Sequence, residues 1–430
     1  MITEPGTKVA ELMERMARQA KAAARQLATL PSAAKDAALR AMADRLEQEQ
    51  AALGAANARD LAAATAAGLS SAMLDRLRLD AKRIHGMAQG LREVAALPDP
   101  VGRVLDERVR PNGLRLRKLT TPIGVLVIIF ESRPNVTADA AGLGFKAGNA
   151  TILRGGREAL ESNRLIARLL VEAGRAAVPG FPEHAIQLVP VADREAIPAL
   201  LSLTAYVDLC LPRGGEGLIR AVTECSRVPV IKHYKGVCHV FVDRDADLAM
   251  AEAIVVNAKC QRPAVCNAME TLLVDEPVAD RFLPAVGRRL AERGVAFRAD
   301  EASLRLLAPL GANVKPAAEP DWSTEYNDLV LNVRVVRDAG EAVAHINQYG
   351  SGHSDSIVTR DETRAGAFLA AVDSAAVYWN ASTRFTDGGE FGMGAEIGIS
   401  TDKIGARGPM GLDELTSYKW LGFGTGQIRG

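Results

Sequence analysis

Residues Asn257 to Asn267 read Asn-Ala-Lys-Cys-Gln-Arg-Pro-Ala-Val-Cys-Asn. A helical pattern from Ala246 to Lys259 runs into this stretch, and an apolar strand pattern from Thr271 to Val274 runs out of it. Pro263 has no N–H and disfavours helix at the residue before it, so the helix stops and Cys266 lies on a connection. Reactive groups often sit on connections held by a rigid scaffold. By type alone Cys266 is equally a small hydrophobe fit for packing. To act on a carbonyl it needs a lowered pKa, a site for the oxyanion, and a group that takes electrons or a proton. Lys232, Lys259 and Arg262 are positive charges nearby in sequence. The N–H of Cys266 is one oxyanion donor. The side-chain amide of Asn135, from another strand end, is a second, although Asn135 also reads as a turn or cap residue.

A cofactor site is less plainly written. No GxGxxG follows the first strand, so a Rossmann fingerprint is missing. Leu211-Pro212-Arg213-Gly214-Gly215-Glu216-Gly217 does follow a strand and open a helix. Glycines there let backbone N–H groups and the helix N-terminus approach a pyrophosphate, and the plainer reading is a helix start. Arg154 and Arg157 end another strand. They could hold a 2′-phosphate, favouring NADP(H) over NAD(H), or be surface charges. The six histidines form no HExxH and no i, i+4 pair, and Cys238-His239 lacks further ligands, so no metal is expected.

These groups need elements to carry them. Val9, Leu12, Met13, Met16, Ala20, Ala23 and Leu27 recur at helical spacing, and Ala38, Met42, Leu46 and Leu53 continue after Pro31, so the first part, to about Leu97, is helical packing. Alternating polarity around Pro111-Asn112-Gly113 predicts a hairpin over Val104 to Leu119. Its arginines suit an exposed edge. Gly124 to Phe130 is a continuous apolar run, as in a buried parallel strand, and it delivers Glu131 to Thr137 at its carboxyl end. A helix is expected from Ala138 to Ala147, then strands at Ala150 to Leu153, Ile186 to Val189, Val207 to Leu211 and Val228 to Ile231. The βα alternation resumes after His233, predicting a second parallel sheet with both faces covered. Ser382 to Gly411 is glycine-rich and irregular, a loop long enough to suggest function. Leu415 to Leu421 reads as a last strand.

Composition narrows the classes. Fifty-two acidic and 52 basic residues cancel, leaving no electrostatic footprint for nucleic acid or a membrane surface. No apolar run reaches the roughly 20 residues of a membrane span, and no secretory signal is seen at the start. Five cysteines without a CxxC pair argue against a disulfide framework and for a reducing cytoplasm.

Phe130 to Thr137, Ile152-Leu153-Arg154-Gly155-Gly156, Ile231 to Val240, Asn257 to Asn267, and Tyr349-Gly350-Ser351-Gly352-His353-Ser354-Asp355 together resemble the gamma-glutamyl phosphate reductases of the aldehyde dehydrogenase superfamily. The resemblance spans nearly the whole chain. It implies an α/β fold with two parallel-sheet domains and a small β oligomerisation element. The cofactor domain would take residues 1–103 and 120–233, the catalytic domain 234–402, and the oligomerisation hairpin and tail 104–119 and 403–430. It also implies an NADP(H)-dependent reductase in proline biosynthesis. In that pattern Cys266 is the nucleophile and Asn135 the oxyanion asparagine. Gly214 and Gly215 lie beside the cofactor phosphates. Arg154 takes the place of a lysine on the adenosine ribose, Arg157 of a nearby glutamate, and Glu325 matches a glutamate on the nicotinamide ribose. Cys260 stands where the family usually has Thr and Ala264 where Gly is usual, which makes Cys260 a bystander thiol. Hydrolytic aldehyde dehydrogenases carry a water-activating glutamate where this chain has His233.

The expected substrate is L-glutamyl 5-phosphate. Its α-amino and α-carboxylate groups need partners, for which Glu131, Arg133, Arg262 and Arg384 are candidates, each also able to form a structural ion pair. The alternative is a hydrolytic NAD(P)-dependent aldehyde dehydrogenase, with His233 as base. A non-catalytic relative is disfavoured by the intact Cys266, Asn135 and Gly214-Gly215. A homo-oligomer (dimer or tetramer) and a transient contact with glutamate 5-kinase are the expected partners.

Overall fold

The computed structural model of the chain describes residues 5–311 and 313–429. It divides into two compact units. The first takes the chain up to Lys232, with 392–398 and the segment from 410 onward; the second takes His233–Phe391 and Ile399–Pro409.

The first unit starts with helices Pro5–Leu27, Ser32–Gln48, Gln50–Ala66, Ser71–Leu77 and Ala81–Ala96. Met13, Met16, Ala20, Ala23, Leu27, Ala38, Met42, Leu46 and Leu53 are buried, so the helical period does mark the inward face. They pack beside a parallel sheet ordered Ile186–Leu188, Ala150–Arg154, Val125–Phe130, Leu209–Arg213. Val125–Phe130 is buried along its whole length, as its continuous apolar run requires. Two expectations are corrected. Val228 to Ile231 forms no strand, only a bridge between Val230 and Cys210. Pro229 lies in the run and has no N–H for a ladder; its carbonyl accepts from Cys210 N at 2.9 Å. The helix after Val125–Phe130 begins at Asn135, not Ala138. Pro134 sits just before it, where the absent N–H has no intrahelical acceptor to miss.

The hairpin pairs Val104–Val109 with Arg115–Pro122, and Thr416–Phe423 adds a third antiparallel strand beside Arg115–Pro122. At the turn Gly113, at φ +84°, lets its own N–H reach Arg110 O at 2.9 Å. The arginines are less free than an edge suggests: Arg108 stacks on Trp420, and Arg115 and Arg117 on Phe423.

The second unit holds a seven-stranded, all-parallel sheet. Its order is Val314–Pro316, Ala296–Ala299, Val330–Val336, Met269–Asp275, Cys238–Val242, Ser354–Val358, Ala376–Trp379. Ala296–Ala299, Glu301–Leu307 and Val314–Pro316 were not expected; each is too short to display a period. Met269–Asp275 is buried throughout. It is the central rail onto which the Cys266 connection runs. Ser382 to Gly411 is less irregular than expected, with a 3-10 turn at Thr383–Phe385 and paired short strands Ile399–Ser400 and Gly408–Pro409. Among the described residues no helix is long and apolar enough to cross a membrane.

Candidate active site

The helix Leu248–Cys260 ends ahead of Pro263, and the chain re-enters regular structure at Met269. Cys266 is on the connection. Lys259, at the end of the helix, donates to Glu270, at the start of the strand, at 2.8 Å. Both side chains are fully buried. The ion pair therefore staples the two ends of the loop together. Burial pushes the Glu270 carboxyl up to about 7, against the pull of Lys259. The loop is seated from further sides. Cys238 Sγ donates to Cys266 O at 3.3 Å. Gly236 lies so close that a side-chain carbon there would collide with the backbone carbonyl of Cys266. Asn267, next in sequence, donates to Thr386 O at 2.8 Å, and its carbonyl accepts from Thr383 Oγ1 at 2.7 Å. Its side-chain oxygen accepts from Arg384.

Two histidines stand at the thiol. One ring nitrogen each of His233 and His353 and the Sγ of Cys266 all lie within 4.8 Å of one another. The rings meet edge to face, centroids 5.6 Å apart. His233 Nδ1 is 2.7 Å from Ile399 O. A carbonyl only accepts, so that nitrogen carries the proton. His353 is buried. Its Nδ1 is 2.8 Å from Ser354 Oγ, whose hydroxyl donates to Thr386 Oγ1 at 2.6 Å. Burial, with His233 beside it, pushes His353 down to about 3, so it is a neutral imidazole.

Of the residues expected from sequence, Arg262, Arg384 and Glu325 join Cys266 in this unit. Arg384 donates to Gln261 Oε1 at 2.7 Å. Burial and then Arg262 press its pKa down, and Cys266 opposes them. Glu325 adds its negative charge to the environment of Glu270, which also accepts from the N–H of Asn327. Cys260 ends the helix, packed against the hydrophobic core, and burial raises its thiol pKa. A thiol held protonated there is a poor nucleophile.

The remaining candidates lie in the first unit. Glu131 is exposed, and its carboxylate accepts from Gly215 N at 3.0 Å, at the start of helix Glu216–Cys225. Gly214 lets it approach, since a side-chain carbon there would meet that carboxylate. Arg154 spends its guanidinium on the carbonyls of Gly155 and Ala192, both at 3.2 Å, while Arg157 is exposed at the start of a 3-10 turn. Asn135 donates to Asp139 Oδ2 at 2.9 Å, one helical turn on. Burial pushes Asp139 up to about 6. Asn135, Arg133 and Asp139 line a cavity of about 370 Å³ together with Arg76, Arg78 and Arg83.

Sequence reasoning missed several of these. In the sequence His353 stands only within the stretch Tyr349 to Asp355, Arg76, Arg78 and Arg83 only within the helical first part, and Asp139 only within the helix expected from Ala138 to Ala147. Glu158, which accepts from Ser132 N at 2.8 Å and Ser132 Oγ at 2.6 Å, was also missed. None carries a local spacing signal; each is brought to its place by the fold.

The loop's seating generates two tests. Gly236→Ala should leave a folded protein whose turnover falls about 100-fold, the cost of moving a reacting group by around 1 Å. Turnover like the wild type in that variant would show that the close approach does not position Cys266. For the ion pair the sign follows from the raised Glu270 pKa. The folded chain holds that proton more tightly than the unfolded one, so stability falls as pH rises from 4.5 to about 7. In Lys259→Met the carboxyl lacks its cation, and the fall should continue above pH 7, to a deficit of about 3–5 kcal/mol. Urea unfolding across pH reads it, and a profile parallel to wild type would contradict the pairing.

A family model, the aldehyde dehydrogenase family, matches residues 2–303 of the chain. The gamma-glutamyl phosphate reductase of Moorella thermoacetica is 56% identical over 411 residues, covering 96% of this chain and 97% of that one. That of Carboxydothermus hydrogenoformans is 54% identical, covering 96% and 99%. The crystal structure of gamma-glutamyl phosphate reductase from Thermotoga maritima superposes with a TM-score of 0.94 at 42% identity, covering 97% of this chain and 100% of that one. The chain belongs to the aldehyde dehydrogenase family, in the branch of the gamma-glutamyl phosphate reductases.

Proposed function

We propose that the chain reduces L-glutamyl 5-phosphate to L-glutamate 5-semialdehyde and phosphate, with NADPH and through a thioester on Cys266. The observation that carries this reading is the Cys266 loop, a thiol fixed between helix and central strand in a chain 56% identical to a gamma-glutamyl phosphate reductase. The thiolate attacks the γ-carbonyl, forming a C–S bond. Asn135 and the N–H of Cys266 donate to the oxyanion. The intermediate collapses, the C–O bond to phosphate breaks, and phosphate leaves with its electron pair. Bound NADPH supplies hydride. The thiohemiacetal then releases the aldehyde and returns the thiolate.

The first unit is assigned the cofactor, the second the nucleophile. The glycine loop fits a pyrophosphate: a carboxylate, that of Glu131, already rests on Gly215 N at the helix N-terminus. This supports Glu131 as a partner of the cofactor loop rather than of the substrate. Gly214 and Gly215 would lie on the phosphates, Arg154 and Arg157 toward the 2′-phosphate end, and Glu325 on the nicotinamide ribose. Arg133, with Arg76 and Arg78, offers cations for the substrate's α-carboxylate, and Asp139 an anion for its ammonium. Arg262 and Arg384 are placed on the departing phosphate. The reaction is assigned to the cytoplasm. A transient contact with glutamate 5-kinase would spare the labile acyl phosphate from water.

His233 beside Cys266 keeps the hydrolytic reading testable, since an imidazole there could activate water. The assay supplies glutamate semialdehyde and NADP+ with and without inorganic phosphate and follows NADPH. Phosphate-dependent formation is expected. Equal rates without phosphate would favour hydrolysis. Asn135→Ala should cost about 100–1,000-fold in turnover, as one lost oxyanion donor does; wild-type turnover would remove Asn135 from the mechanism.

We also assign the three-stranded sheet to self-association as a dimer or tetramer. Val109 is 70% exposed on its edge strand, and Tyr418 and Trp420 are exposed at 53% and 46%. An edge strand with exposed apolar groups invites a second copy. Val109→Asp with Trp420→Asp should reduce the mass in light scattering to that of one chain. An unchanged mass would place the interface elsewhere.

A further inference from the structure

The residues at the nucleophile share a chemistry that the reduction does not use. Both histidines have their Nδ1 engaged as a donor, His233 to Ile399 O and His353 to Ser354 Oγ. That fixes His353, a neutral imidazole, as the tautomer whose Nε2 carries the lone pair. The Nε2 of His353 is buried and has no hydrogen-bond partner. Burying such an atom unsatisfied is costly, so something is expected to fill its coordination in some state of the molecule. Two imidazole nitrogens and a thiolate sulfur converging within 4.8 Å are a borderline-soft donor set.

We propose that His233, Cys266 and His353 form a reversible Zn2+ site that closes the enzyme by masking its nucleophile. Zinc takes imidazole nitrogen at about 2.0–2.1 Å and thiolate sulfur at about 2.3 Å, which puts tetrahedral ligands roughly 3.5 Å apart. The three donors need to draw in by about 1 Å. The fourth position is left to water, as in zinc sites that keep an open coordination place. The hydrogen bonds from Nδ1 to a carbonyl and to a hydroxyl are the outer partners that hold ligating histidines in orientation. Binding replaces the thiol proton by a Zn–S bond, with the proton passing to solvent, and no electrons are transferred. Competition with substrate follows, because zinc draws charge from the sulfur and stands in the way of a carbonyl's approach. The ligands come from the start of the second unit, from the loop after Leu248–Cys260 and from the residue before strand Ser354–Val358. No sequence spacing announces them together. The effect on turnover rests on the reading of Cys266 as the nucleophile; the binding itself does not.

The test uses the full chain, freed of metal with a chelator. Calorimetric titration with ZnCl2 should give one ion per chain. Titration with CoCl2 should give a near-ultraviolet thiolate-to-cobalt charge-transfer band. Cys266→Ser should abolish that band, and His353→Gln and His233→Gln should each weaken zinc by about tenfold or more. Phosphate-dependent NADPH formation should stop at one equivalent of zinc and return with chelator. Absence of zinc binding in the wild type would overturn the proposal, as would affinity unchanged in both Cys266→Ser and His353→Gln. If His353→Gln fails to fold, Cys266→Ser with the cobalt band decides. A metal-free enzyme that binds zinc as described yet never forms NADPH would count against the proposed reaction and not against the site.

Discussion

The buried pair of Lys259 and Glu270 is the constraint on which the geometry of the second unit turns. Taking an ammonium and a carboxylate out of water costs several kcal/mol per ion, and their attraction does little more than offset this. The raised pKa of Glu270 carries the same message, since it says that the ionised form is held at a cost. Such a pair is therefore not a device for stability. What it provides is register. The cation ends a helix and the anion begins the central strand, so every residue between them, Cys266 included, spans a fixed gap. Gly236 and Asn267 then fix the loop's height within that gap, one by the absence of a side chain and the other by hydrogen bonds to Thr386 and Arg384.

The neighbourhood of the thiol is built with the same economy of proton positions. His233 and His353 are both oriented through Nδ1, and the Ser354–Thr386 hydroxyl relay makes His353 a donor on that side. His353, a neutral imidazole, and His233 flank the Cys266 sulfur, an arrangement suited to binding a cation. Neither is a carboxylate, the group that the resemblance implies for a hydrolytic enzyme where this chain has His233. The first unit works on a different principle. The carboxyl ends of its parallel strands gather Glu131, Arg154 and Arg213 at one edge, where open α/β sheets place their ligands.

How much of this was legible depended on whether the determinant was local. The connection bearing Cys266 could be read because Pro263 must break a helix and because the flanking apolar patterns were long. The glycine loop at Gly214 was visible for the same reason, lying between a strand and a helix of clear period. Val228 to Ile231 was misread because its apolar run hides Pro229, which cannot complete a ladder. Asn135 was located, but not its bond to Asp139 or the arginines of Ser71–Leu77 and the segment after it, which only tertiary packing brings near. His353 had no spacing to betray it. Its role depends on a strand that lies beside Cys238–Val242 in the sheet though far away in sequence.

The central claim is that chemistry passes through a covalent bond to Cys266. The most direct measurement is to mix the protein with glutamate semialdehyde and NADP+ in the absence of phosphate, quench in acid, and map the peptides by mass spectrometry. With no phosphate to take the acyl group, a glutamyl thioester should accumulate, and fragmentation should place it on Cys266 and not on Cys260. One NADPH formed per chain with the adduct on another residue, or with free glutamate and no adduct at all, would contradict the account.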